Sequence, residues 1–97
     1  MDLTFNIKKK DFSIEEVSNV IRSALDTEER IAKYKKNRYF NICKNFEKKY
    51  AMSSEIFMEK FESGLLDDRD DFFDWYAAKK GFNLWNKKLE ILSGISL

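Results

Sequence analysis

The sequence predicts an all-α domain of three or four helices in a helical-hairpin or bundle arrangement. A short strand is expected before the first helix, and a homodimer as the assembled form. Three observations carry this expectation. Proline is absent and only three glycines occur in 97 residues, the first at position 64, so little in the chain interrupts helix. Charged residues make up 36% of the chain, a composition of long solvated helices rather than strands. Finally, Trp75, Ala78, Phe82, Trp85, Leu89 and Leu92 recur at steps of three and four, a heptad seam that calls for a partner helix. A second line, Phe73, Ala77, Leu84 and Ile91, widens that apolar face beyond a two-stranded stripe. A face with two tryptophans is more apolar than a chain of this size readily covers alone, so the seam is expected to be a core or a dimer interface.

The first element is an N-terminal arm or strand over residues 1–12. Leu3, Phe5 and Ile7 alternate with polar residues, as on one face of a strand, which then needs a partner strand from another chain. The second element, residues 13–50, is a long helix or a helical hairpin. Ser13 and Glu16 form a capping box, and Phe12 is placed to staple onto Val17. Ile14, Val17, Ile21 and Leu25 share a face, with Val20 and Ala24 beside it. Residues 26–29 repeat the capping signature, so a break or tight turn is expected at residues 25–27, although nothing there forbids helix. Beyond it Ala32, Tyr39 and Phe46 recur seven apart, with Ile42 and Cys43 on the same side.

Residues 53–63 form a short helix that the serine pair Ser53 and Ser54 caps, with Ile56, Phe57 and Phe61 turned inward. Gly64 is the expected left-handed residue at its end, after which Leu65 and Leu66 fold over the core. The last element is an amphipathic helix over residues 67–93, capped by Asp67 or Asp68. Gly81, inside it, marks a close helix crossing or a kink, and Gly94 ends it.

The chain holds no histidine, which removes the commonest general base and transition-metal ligand. Cys43, the only cysteine, sits on an apolar helical face without a histidine to activate it. The isolated glycines make no phosphate loop. No enzymatic activity, cofactor or small-molecule substrate is expected. No apolar stretch approaches the ~18 residues that a membrane span needs. No apolar run follows Lys8, Lys9 and Lys10, so a secretory signal is not expected, and a reducing cytoplasm fits the cysteine usage.

The net charge of +1 conceals three blocks. Residues 1–50 hold 12 bases against 8 acids, residues 51–74 hold 2 against 8, and residues 75–97 hold 4 against 1. Such a chain can pair its own segments or offer an acidic patch to a basic partner. Asp67, Asp68, Asp70, Asp71 and Asp74 crowd one turn with Phe72 and Tyr76, four apart, off the seam. Aromatics rimmed by carboxylates read equally well as a contact surface for a basic protein or as packing for the helix before them. As a metal site the aspartates lack the glycine and terminal glutamate of a calcium loop, so no metal is expected. The competing class is nucleic acid. Lys8, Lys9 and Lys10, or Lys33, Lys35, Lys36 and Arg38, could contact phosphates, and a strand followed by helices is the order of a ribbon-helix-helix dimer. The near-neutral pI of 7.8 weighs against it.

Residues 50–76 resemble small helical antitoxin-like proteins of prokaryotic toxin–antitoxin pairs. The pattern is carried by Met52, Ser53, Ser54, Phe57, Phe61, Glu62, Gly64, Leu65, Asp67, Asp68, Asp71, Phe72, Phe73 and Trp75. Ala51 stands where that pattern has glycine, and Leu66 stands where a glycine precedes the acids. The resemblance implies a non-catalytic module that binds and neutralises a small toxin protein, with the acidic-aromatic turn as its contact surface. Two other readings stand beside it: a nucleic-acid-binding transcriptional regulator, and a structural helical dimer without a client.

Overall fold

A computed structural model describes residues 11–96 and contains three helices there: α1 (Ile14–Tyr50), α2 (Ser54–Glu62) and α3 (Asp70–Ser93). The strand expected at residues 3–7 lies outside the described residues. α1 starts at the expected capping box: Glu16 N donates to Ser13 Oγ at 3.0 Å, and Ser13 N donates to Glu16 Oε1 at 3.2 Å. The break expected at residues 25–27 does not occur, and α1 runs unbroken for 37 residues. Thr27 shows why. Its hydroxyl donates back to the Ser23 carbonyl at 3.1 Å, so it is satisfied inside the helix instead of capping a new one.

At 1.5 Å per residue α1 is about 55 Å long and α3 about 36 Å, within a molecule of 61 × 22 × 20 Å. α3 returns antiparallel along α1. Asp71 meets Lys49, Gly81 meets Tyr39, Trp85 meets Lys35, and Lys88 meets Glu28. The heptad seam of α3 thus finds its partner helix inside the chain. Trp75 and Ala78 are buried, and Phe82, Trp85, Leu89 and Leu92 are half-buried. That corrects the reason given for expecting a dimer, because this face is already covered. The second line, expected to widen the seam, instead turns to solvent, with Phe73 52%, Leu84 63% and Ile91 55% exposed. The first turns of α1 project past the end of α3, leaving Ile14 78% and Val20 71% exposed.

The densest packing lies at the corner where α2 crosses the hairpin. The Trp75 indole stacks on Phe57 at 3.9 Å between ring centroids with the planes 5° apart, and Phe46 and Tyr50 stack on it at 5.7 and 6.0 Å. Such pairs contribute about 0.5–1.5 kcal/mol each beyond burial. Ser54, buried, accepts the indole N–H at 2.9 Å and donates its hydroxyl to Glu47 at 2.7 Å. Ser53 caps α2 by accepting from Ile56 N.

Two expectations about α2 need correction. Ile56 is 49% exposed rather than inward, and of the leucine pair only Leu66 packs on the core, Leu65 being 72% exposed. Gly64 takes the expected left-handed conformation at φ 71°. Leu65 N donates to Lys60 O and Gly64 N to Phe61 O, the paired bonds of a Schellman end.

Candidate protein-contact face

The acid-rich turn divides into a part that holds the fold together and a part that faces outward. Neither Asp67 nor Asp68 caps α3. The N-cap is Arg69, which makes no side-chain cap bond. Asp67 is occupied instead by Arg69 itself, accepting from its backbone N at 3.1 Å and from Nε and Nη2 at 2.8 and 2.6 Å. These bonds draw the Asp67 carboxyl down to about 2. The guanidinium lies 4.7 Å from the centroid of the Phe72 ring, so the turn is pinned to the core and α3 opens one residue later, at Asp70.

Asp71 accepts from Lys49 Nζ at 2.6 Å and from the Tyr50 hydroxyl at 2.5 Å, two bonds that tie the start of α3 to the end of α1. The lysine first, and then the tyrosine, hold its carboxyl below the ordinary range. Phe72 is 4% exposed and packs on Tyr50 and Phe57. Tyr76 is half-buried and stacks on Phe61 at 4.7 Å. Four of the seven residues expected to meet a partner, Asp67, Asp71, Phe72 and Tyr76, therefore make structural contacts.

The outward remainder is Asp68, Asp70 and Asp74, all exposed and, among the described residues, without an ion pair. Asp70 and Asp74 are one helical turn apart, and Phe73 sits beside them at 52% exposure. The Phe61 ring meets Phe73 edge-on at 5.5 Å and 90°, which holds the exposed ring in place. Phe73, not Phe72, is the aromatic this face offers. The signal was present in the sequence: at 100° per residue Phe73 lies nearly opposite Trp75, with Leu84 and Ile91.

The remaining candidates are placed differently. Lys33, Lys35, Lys36 and Arg38 fan around α1 rather than sharing one face, as their spacing at 100° per residue requires. Lys35 Nζ lies over the Trp85 ring at 4.5 Å, and Lys36 is half-buried. Lys8, Lys9 and Lys10 lie outside the described residues.

A cleft of about 230 Å³ beside α2 is lined by Phe40, Cys43, Glu47, Ser54 and Lys79. Its polar groups are engaged. Burial alone would raise the Glu47 carboxyl, but hydrogen bonds from Ser54 and Lys44 outweigh it and hold the group below its ordinary value. Lys79 reaches Glu55 at 3.3 Å. Burial pushes the Cys43 thiol up, with the Ser54 hydrogen bond offsetting only part of the effect, so its thiolate is disfavoured. Among the described residues no group of three or more Cys, Asp or Glu is placed to hold a metal ion, and no helix is long and apolar enough to cross a membrane. Comparison with protein-family models, curated proteins and solved structures found no match to this chain.

Proposed function

We propose that this chain is a non-catalytic protein-interaction module, an antitoxin-like partner that neutralises a small basic toxin protein. The observation that carries the reading is the outward face of the first turns of α3. Phe73, held edge-on by Phe61, stands beside Asp70 and Asp74, neither of which pairs within the described chain, with Asp68 in the loop just before the helix. An exposed aromatic packed on its neighbour and rimmed by free carboxylates suits a cationic protein surface: the ring supplies the buried anchor, while the acids steer encounter and select charge. The resemblance of residues 50–76 to antitoxin-like proteins supports a toxin as the client. The absence of histidine and the buried, disfavoured Cys43 thiolate support a role without catalysis. The nucleic-acid reading draws less support, since the four cations near the middle of α1 do not converge on one face.

The test is co-expression with the small protein encoded beside this chain's gene, reading growth and co-purification. Asp70→Lys with Asp74→Lys, and separately Phe73→Ala, should each abolish capture and rescue of growth while the melting temperature stays within a few degrees. Capture that survives these changes refutes the α3 face. A neighbouring protein that is neither toxic nor bound refutes the antitoxin reading itself.

A further inference from the structure

We infer that two copies of this chain pair antiparallel through the exposed N-terminal half of α1, along Val17, Val20, Ala24, Thr27, Ile31 and Tyr34. These six residues recur at steps of three and four, the spacing of a coiled-coil seam. They form a different face of α1 from Ala32, Tyr39, Cys43 and Phe46, which pack toward α3. All but the half-buried Val17 are exposed: Val20 at 71%, Tyr34 at 66% and Ile31 at 38%, with Ala24 and Thr27 between them. The line spans about 25 Å of helix. A largely apolar line in heptad register on the face of α1 turned away from α3 is a surface that a second helix covers.

Charge identifies that second helix. Residues 11–29 hold six acids and one base, whereas residues 30–49 hold eight bases and one acid. A parallel pair of α1 helices superimposes like charges along its whole length. An antiparallel pair centred between Ala24 and Thr27 lays residues 11–21 of each copy, with three acids and no base, over residues 30–40 of the other, with five bases and no acid. The same arrangement gives a closed two-fold dimer, because the seam is self-complementary in reverse. Val17 then stands opposite the partner's Tyr34, Val20 opposite the partner's Ile31, and Ala24 opposite the partner's Thr27.

Shape agrees with charge. Ala24 and Thr27 are small and fall at the centre, where the helices come closest. Near the end of the seam an apolar groove of about 340 Å³, lined by Phe12, Glu16, Val17, Val20 and Ile21, receives the partner's Tyr34. A single helical seam covers less than the roughly 800 Å² per copy of a standard interface, so the pair is expected to be reversible. The Asp70, Phe73 and Asp74 faces lie toward the far ends of the pair and stay free. The dimer is therefore independent of the client face and presents it twice.

The experiment is sedimentation velocity of the full chain over a concentration series from below micromolar to near millimolar. The native chain should pass reversibly from monomer to dimer. Val20→Glu with Tyr34→Glu should weaken the dimer at least about a hundredfold, with the circular dichroism and melting curve of the dilute protein unchanged, since both side chains are mostly exposed in the monomer. A native chain that stays monomeric throughout overturns the inference, and so does a double variant that still dimerises. Register is tested by oxidation. A mixture of the Val20→Cys and Ile31→Cys chains should form the mixed disulfide dimer, whereas Val20→Cys alone should not. A disulfide formed readily by Val20→Cys alone indicates a parallel pair and refutes the arrangement.

Discussion

Ser54 illustrates how much one small side chain can carry. It is 2% exposed, accepts the Trp75 indole N–H, and donates both its hydroxyl and its backbone N–H to Glu47. In Ser54→Ala the methyl group can do neither side-chain job, and a buried indole N–H is left without an acceptor. The expected loss is about 2 kcal/mol in urea denaturation, with tryptophan fluorescence reporting a changed environment at Trp75. Asp71 makes a prediction about pH. Its folded carboxyl lies below the ordinary value of 3.8 because of Lys49 and Tyr50, so the folded state binds the proton less readily than the unfolded one. Its stabilisation is complete above that value and is lost as pH falls through the lower folded one. The urea midpoint of the native chain should therefore decline below about pH 4, and Asp71→Asn should decline less steeply over the same range. A parallel decline would show that Asp71 is not responsible.

Among the elements, the end of α1 and the α1–α3 crossing give the sharpest contrast. Ala51, after α1, sits at φ 49°, a left-handed conformation that costs a side-chain-bearing residue about 1–2 kcal/mol and glycine almost nothing. Ala51→Gly should stabilise the fold by about 1 kcal/mol in denaturant titration. Gly81 works the other way. A Cβ there would lie 2.9 Å from the Tyr39 ring, so Gly81→Ala should destabilise the native chain despite the roughly 1 kcal/mol that alanine gains in a helix. In a Tyr39→Ala background the same change should stabilise. If it fails to, the ring is not the obstacle.

Helix content, the capping box at Ser13 and the left-handed Gly64 were legible in the sequence, because each rests on bonds or sterics within a few residues, whereas Gly81 marked a close crossing or a kink without naming Tyr39 as its neighbour. The ladder of Trp75, Phe82 and Trp85 was legible as a seam, but periodicity cannot say whose helix fills it. The unbroken α1 was not legible, because the acids after Leu25 carry the same signature whether a helix starts there or continues. Nor was the division of the acidic turn. Asp71 meets Lys49 and Tyr50 across more than 20 residues of sequence, and only the hairpin register makes them neighbours. The same register turned Phe72 inward and Phe73 outward, and so moved the candidate face by one residue.

At the scale of the molecule, packing is concentrated at one end. Phe57, Trp75, Phe72 and Cys43 are buried where α2 crosses the hairpin, while the opposite end of α1 extends past α3 with Ile14 and Val20 in solvent. The charge blocks follow the same axis. Lys49 with Asp71, Lys79 with Glu55 and Lys80 with Glu62 pair segments of opposite sign near the corner, whereas the acidic start of α1 meets α3 at Lys88 with Glu28. Exposed pairs of this kind contribute only about 0–1 kcal/mol each, so the aromatic corner sets the stability and the far end of α1 stays helical with little tertiary support. Backbone amides should record that gradient. In dilute protein, amides of residues 43–50 and 74–82 should exchange slowest, at rates set by global unfolding. Those of residues 17–25 should exchange much faster, through local fraying. Raising the concentration should slow residues 17–25 selectively, because antiparallel pairing covers them and adds nothing at the corner. Uniform slowing along the whole chain would instead point to an association that buries the corner.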